Sequence, residues 1–191
     1  MEARSVTRSP NQETRRREIV VAAAKLVSIE GLGACTIRRI ADTTALTKST
    51  IHYYFADAEE LTDLVVVEVV SHFAKACRRA VAGLNRDDAV ATLTRVFLGR
   101  EPSVTIGESL LWYEYSIQSI FQNRTAGLAL TYDLVTEVVI DAVGDEAQAR
   151  ALHVYLMGLT IRNRTAPLAD AEIARAVSAL TSTEVGAANL A

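Results

Sequence analysis

Lys48, Ser49, Thr50, His52 and Tyr53 fall together near the end of the stretch "TIRRIADTTALTKSTIHYYF", Thr36 to Phe55. An ammonium, two hydroxyls, an imidazole and a phenol in so short a run make poor core and good hydrogen-bonding surface. Groups of these kinds meet phosphate oxygens and the edges of nucleic-acid bases. The lysine and the hydroxyls suit either target, His52 can donate to a purine N7 or O6, and Tyr53 or Tyr54 can reach a phosphate with its ring against a sugar. Upstream, Arg38 offers a guanidinium that can read guanine or clamp the backbone. Thr36, with the free amides of the segment that follows it, forms a seat for a phosphate.

Such side chains act only if something holds them outward. Thr36 and Thr47 stand where helix N-caps belong. Ile37, Ile40 and Ala41 give the inward stripe of a helix two turns long, and Leu46, Ile51 and Phe55 give that of the next. The spacing of Ile51 and Phe55 marks the buried side, which leaves Lys48, Ser49, Thr50, His52 and Tyr53 on the other. Two short helices with a polar break are the dimensions of a helix-turn-helix, in which the first helix braces the second and the second enters the major groove. A preceding helix is predicted from about Asn11 to Glu30, with Ile19, Ala22, Ala23, Leu26 and Val27 at helical spacing and Gly31 and Gly33 ending it. Asp57 and Glu60, in a D-x-x-E pattern, open a fourth helix to about Val81. Its run "LVVVEVVSHF" is apolar on several sides, so the helix is expected to lie between layers and to join two modules.

The remaining chain supports this frame. It has 191 residues, half of them apolar, with nine Gly and three Pro, which predicts an all-α protein with a substantial core. Further helices are expected at about 87 to 99, 107 to 123, 127 to 143, 145 to 163 and 169 to 182. The expected organisation is a disordered arm over 1–10, a three-helix DNA-binding head over 11–56, and a second helical domain over 57–191, joined by the fourth helix. No stretch has the character of a signal peptide or an uncharged membrane span, so a cytoplasmic protein without membrane contact is expected. Cys35 and Cys77 lack the spacing of a redox pair and are expected as buried thiols. Residues 1 to 56 carry nine Lys or Arg against five Asp or Glu, +4; residues 57 to 191 carry eleven against eighteen, −7, giving the net −3. A basic first third beside an acidic remainder fits one module that meets a polyanion and one that does not.

From about residue 14 to 70 the chain resembles the DNA-binding head of the tetracycline-repressor (TetR) family of one-component regulators. The resemblance is carried by "REIVVAAAKLVSIEG", then Gly33, "TIRRIA", "STIHYYF" and "AEEL", in that order and spacing. It implies a homodimer that binds a double-stranded operator, with a C-terminal domain that holds a small-molecule effector and pairs two long helices with those of its partner. This chain departs from the usual pattern at Thr44-Ala45 in the turn, at Ser49, at His52 where a phosphate-contacting Tyr is frequent, and at Ala58 where a Lys commonly grips the backbone. Arg38, Lys48 and the Arg15 to Arg17 arm are therefore expected to carry more of the salt-dependent affinity. Thr36, Arg38, Thr47, Lys48, Ser49, Thr50, His52, Tyr53 and Tyr54 form the expected DNA-binding set.

The C-terminal candidates come from composition. Trp112, Tyr113, Tyr115, Gln118 and Phe121 concentrate in "ESLLWYEYSIQSIFQN", a mixture suited to an apolar pocket with a few orienting groups, to which Phe73 and Phe97 can add. The same stripe also suits plain core. Leu128, Val135, Val139, Tyr155, Leu159 and Arg162, on two helices apolar on more than one face, are the expected dimer contacts. No cofactor or metal is implied. As an enzyme the chain offers only His72, His153, Glu108 and Glu114, in no recognisable catalytic spacing. A protein-interaction module without specific DNA binding is the other alternative, motivated by the departures in the head.

Overall fold

The computed structural model describes residues 10–104, 106–123 and 126–191. The arm expected over the first residues lies, up to residue 9, outside them. Nine α-helices run through the described residues, and the chain divides into two compact units, one up to Val69 and one from Val70. The division falls inside the fourth helix.

In the first unit α1 (Pro10–Glu30) ends at Gly31, whose φ of 84° suits glycine and turns the chain into a short 3-10 turn, Leu32–Ala34. Thr36 then caps α2 (Ile37–Thr43) and Thr47 caps α3 (Lys48–Tyr54), each accepting an amide three residues on, at 3.1 Å. The core is built where the spacing placed it. Ile19, Ala23 and Val27 from α1 join Ile40 from α2 and Ile51 from α3 with Phe55, all almost wholly buried. α4 (Ala58–Val81) starts on a reciprocal cap. Asp57 Oδ1 accepts the Glu60 amide at 2.7 Å, and the Glu60 carboxylate reaches back to the Ala56 amide at 2.7 Å.

Arg16 departs from the expectation of an arm that meets phosphates. Its side chain is only 12% exposed; it donates to Glu60 and its guanidinium lies 5.0 Å from the centre of the Phe55 ring. The physical reason is register: Arg16 stands three residues before Ile19 and seven before Ala23, on the stripe α1 turns inward. Arg15 pairs with Glu18, so of the three arginines Arg17 alone has no described ion pair.

The second unit continues with α5 (Arg86–Leu98), α6 (Ile106–Phe121), α7 (Ala126–Val143), α8 (Glu146–Thr165) and α9 (Asp170–Thr181). α5 is buried on every side from Ala89 to Thr94 and again from Val96 to Leu98. Asn85 caps its start and Gly99, at φ 72°, ends it. α7 and α8 form a hairpin about Gly144 and Asp145, the latter capping α8. A final 3-10 turn, Ala187–Leu190, was not foreseen in the sequence. It is held by arginines from the α5 end: Arg95 donates to the Asn189 carbonyl at 2.7 Å and Arg100 to the Leu190 carbonyl at 2.8 Å, with Leu190 fully buried. Both cysteines are buried, as expected, and neither is in a disulfide.

Candidate nucleic-acid interface and interior cavity

The α3 face is set by its two anchors. Ile51 and Phe55 fix which side goes in, and the Thr47 cap fixes where the helix begins, so Lys48, Ser49, His52 and Tyr53 emerge exposed at i, i+1, i+4 and i+5 on one side. The Thr47 hydroxyl lies 2.8 Å from both Ser49 Oγ and Thr50 Oγ1, making a cluster of three hydroxyls at the helix start. Thr50 and Tyr54 are half-buried; Tyr54 stands edge-on to Tyr53 at 5.1 Å. The Tyr53 hydroxyl accepts from Gln12 Nε2 at 2.7 Å, which ties the exposed ring back to α1. Gln12 was missed in the sequence because nothing in a polar helix start marks it.

Two neighbouring arginines on α2 differ in availability. Arg38 is 81% exposed and meets Asp42 only at 3.9 Å, a surface pair of little strength. Arg39 instead donates Nε to Glu30 at 3.0 Å and a second bond to the same carboxylate, and this guanidinium holds Glu30 below the usual carboxylate range. Arg38 and Lys48 therefore present their charge to solvent, whereas Arg39 spends its charge on the protein. Thr36 is exposed beside them, its oxygen capping α2.

Residues 19–65 match the family of bacterial regulatory proteins named for TetR. That segment is a DNA-binding head of the TetR type. Its match to the solved structure of a proposed transcriptional regulator from Streptomyces coelicolor A3(2) has a TM-score of 0.70 at 22% identity, over 88% of this chain and 99% of that one. The likeness extends the shared fold through the C-terminal helices. No curated protein matches the chain. The first unit thus carries the DNA-binding domain of bacterial regulatory proteins. Of the candidate acids and bases, His72 and Glu114 are exposed and only His153 lines the interior cavity, while the Glu108 side chain lies outside the described residues.

That cavity lies in the second unit. Val70, Phe73, Phe97, Trp112, Tyr113, Thr131, Tyr132, Val135, His153 and Met157 line a partly open pocket of about 30 Å³, about one water's share of liquid volume. Four of the expected ligand residues meet there, namely Phe73, Phe97, Trp112 and Tyr113. Tyr115 does not; it is buried elsewhere on α6, with its hydroxyl 2.6 Å from where a side chain on Gly127 would begin. Gln118 and Phe121 face solvent, Phe121 at 87% exposure. Tyr132 and His153 were missed because they come from α7 and α8, and only the α7/α8 hairpin brings them beside α6.

His153 is held by its surroundings in the neutral form. Its ring stacks on Tyr132 at 4.6 Å and meets Phe97 at 6.1 Å, and burial pushes its pKa from 6.5 to about 4. An unfolded histidine takes its proton near 6.5, so between that value and 4 the unfolded chain binds more protons and stability falls as pH drops. From pH 7 to pH 5 the loss assigned to His153 is about 2 kcal/mol. Urea unfolding followed by Trp112 fluorescence measures it, and His153→Phe is expected to flatten that part of the profile. An unchanged profile in the variant contradicts the assignment.

The expected dimer contacts divide in a similar way. Val135, Val139 and Leu159 are buried within their own unit, at 8%, 0% and 3% exposure. As side chains they offer a partner no surface, because both helices also wall the core and the apolar pattern did not separate the two duties. Leu128 and Tyr155 are half-buried, and the exposed Arg162 donates to the Ala166 carbonyl at the end of its own helix. The apolar surface that α8 does expose is Ala147, Ala151, Val154, Gly158 and Ile161, at spacings of four and three, with Leu130 exposed on α7.

Proposed function

We propose that this regulator binds an inverted-repeat operator as a homodimer, represses there, and is released by a small apolar or amphipathic effector taken up in the C-terminal unit. The observation that carries the reading is the outward face of α3, with Lys48, Ser49 and His52 solvent-exposed on a helix anchored by Ile51 and Phe55. Its hydroxyls, amine and imidazole suit phosphates and major-groove edges, and Arg38 and Thr36 flank it. Two copies are needed because an inverted repeat presents two half-sites, about one helical turn apart. DNA places the work in the cytoplasm, and among the described residues no helix is long and apolar enough to cross a membrane.

The α8 stripe is the surface for the second copy. Small residues at Ala147, Ala151 and Gly158 allow two helices to approach closely, and Val154 and Ile161 supply apolar area between them. Val154→Arg is expected to convert a particle of twice 20.7 kDa into a monomer in sedimentation and to lower operator affinity at least tenfold. A variant that remains dimeric overturns the choice of this surface. Release follows from differential binding. An effector that fits one arrangement of the C-terminal helices better than another shifts the population toward it. α4 carries Val70 and Phe73 of the cavity wall and, earlier along the same helix, Leu61 and Val65 buried in the first unit. Because coupling is reciprocal, operator DNA must weaken effector binding by the factor that the effector weakens operator binding.

A further inference from the structure

We propose that the interior cavity selects an uncharged, planar aromatic ligand that carries a hydrogen-bond donor, a phenolic O–H or ring N–H, which His153 Nε2 accepts. This rests on the reading of the C-terminal unit as an effector domain.

The first observation is the lining. Phe73, Phe97, Trp112, Tyr113 and Tyr132 surround the cavity with the imidazole of His153, and among the described residues no carboxylate, ammonium or guanidinium lines it. Flat rings stack and meet edge-on with such walls. A charged ligand would be stripped of water with no opposite charge to replace it.

The second observation is where the lining protons go. Trp112 Nε1–H donates to Thr131 Oγ1 at 2.9 Å, and Thr131 in turn donates to the Leu128 carbonyl at 2.9 Å. The Tyr113 hydroxyl donates to the Met157 carbonyl. Thr136 gives its one proton to the Tyr132 carbonyl at 2.9 Å, so its oxygen can only accept from His153 Nδ1, at 2.8 Å. That bond makes Nδ1 the protonated nitrogen and leaves the lone pair on Nε2. The donors of Trp112, Tyr113 and Thr131 are thus engaged within the protein, and the basic nitrogen of His153 is an acceptor. A ligand that donates finds His153, whereas one that only accepts finds the Trp112, Tyr113 and Thr131 protons already committed.

The third observation is size. About 30 Å³ is far below the roughly 300–1,000 Å³ of sites that take drug-sized ligands. A ring therefore enters only as the walls part, and Trp112 and Tyr113 lie on the helix, α6, whose remaining exposed face includes Ile117, Ile120 and Phe121. Ligand entry is thus tied to a rearrangement of the helices, which is what an effector must produce.

The test uses the full-length protein and four probes of one shape in calorimetry at pH 7: 2-naphthol, 2-methoxynaphthalene, 2-naphthoate and trimethyl(2-naphthyl)ammonium. Trp112, the sole tryptophan, reports the same site. The expected result is saturable binding of 2-naphthol, at least tenfold weaker binding of the methoxy compound, and none by the two ions. His153→Phe is expected to erase the naphthol preference while still binding the methoxy compound, and His153→Gln, which keeps an acceptor, to restore part of it. Binding of either ion as tightly as naphthol overturns the proposal, as does equal binding of naphthol and its methyl ether, or no binding by any probe. The wild-type comparison stands even where a variant fails to fold. Operator binding measured alongside separates the two readings. A protein that binds its operator but none of the probes loses only the ligand class. One that binds naphthol as expected without any change in operator affinity loses the effector reading instead.

Discussion

Replacing Arg38 and Lys48 together by alanine is expected to weaken operator binding at least 100-fold, about 3 kcal/mol, without unfolding the protein. Both side chains are exposed, and neither holds a strong internal partner: Arg38 meets Asp42 at 3.9 Å and Lys48 stands free of any described ion pair. Their removal therefore costs the fold little, because exposed pairs contribute under about 1 kcal/mol. The cost falls on DNA. Each phosphate contact releases counterions and adds about 0.9 to the slope of log affinity against log salt, and a dimer makes every contact twice. The variant's slope should flatten by two to four units. Arg39→Ala is the internal control, since that guanidinium is committed to Glu30. Binding titrations across salt concentrations decide it; a double variant with wild-type affinity and slope removes these residues from the interface.

Arg16→Ala is expected to loosen the head by about 2–3 kcal/mol while leaving the salt slope unchanged. Arg16 is mostly buried, and its guanidinium bridges the Phe55 ring at the end of α3 and the Glu60 carboxylate in the first turn of α4. Removing one partner of a buried pair leaves the other uncompensated, which costs roughly 3–5 kcal/mol when both are fully buried. Glu60 is about a third exposed, so the smaller figure applies. Glu60 also holds the Ala56 amide, and loss of Arg16 therefore disturbs the joint between α3 and α4. Hydrogen exchange at the Ile51 and Phe55 amides is expected to quicken about 30- to 100-fold, the equivalent of that loss. A Glu60→Gln single variant and the double variant complete a cycle that isolates the pair. If Arg16→Ala instead left exchange unchanged and flattened the salt slope, Arg16 would belong to the DNA-contacting set after all.

The difference between these two arginines shows what the sequence could and could not say. The elements of the head were legible because each is fixed locally. Thr36 and Thr47 cap, Gly31 breaks, and Ile51 and Phe55 repeat at one helical turn. The outward face of α3 followed from the same spacing. Arg16 was misjudged because its charge was weighed above its register, three residues before Ile19. In the C-terminal unit the helices were legible to within a few residues, but the duties of their faces were not. α7 and α8 are apolar on more than one side, and only the tertiary arrangement decides that Val139 and Leu159 go to the core while Val154 and Ile161 stay outside. The cavity needed residues from α4 through α8, and a stripe on one helix could supply only Trp112 and Tyr113 of α6.

The central claim is that α3 reads a specific duplex. Selection of bound duplexes from a random pool at near-physiological salt, followed by sequencing, tests it most directly. The account predicts enrichment of an inverted repeat whose half-sites lie about one turn apart, and loss of that enrichment with Arg38→Ala/Lys48→Ala. A folded, dimeric protein that enriches no sequence over any other would contradict it, and would make the exposed face of α3 a surface for something other than DNA.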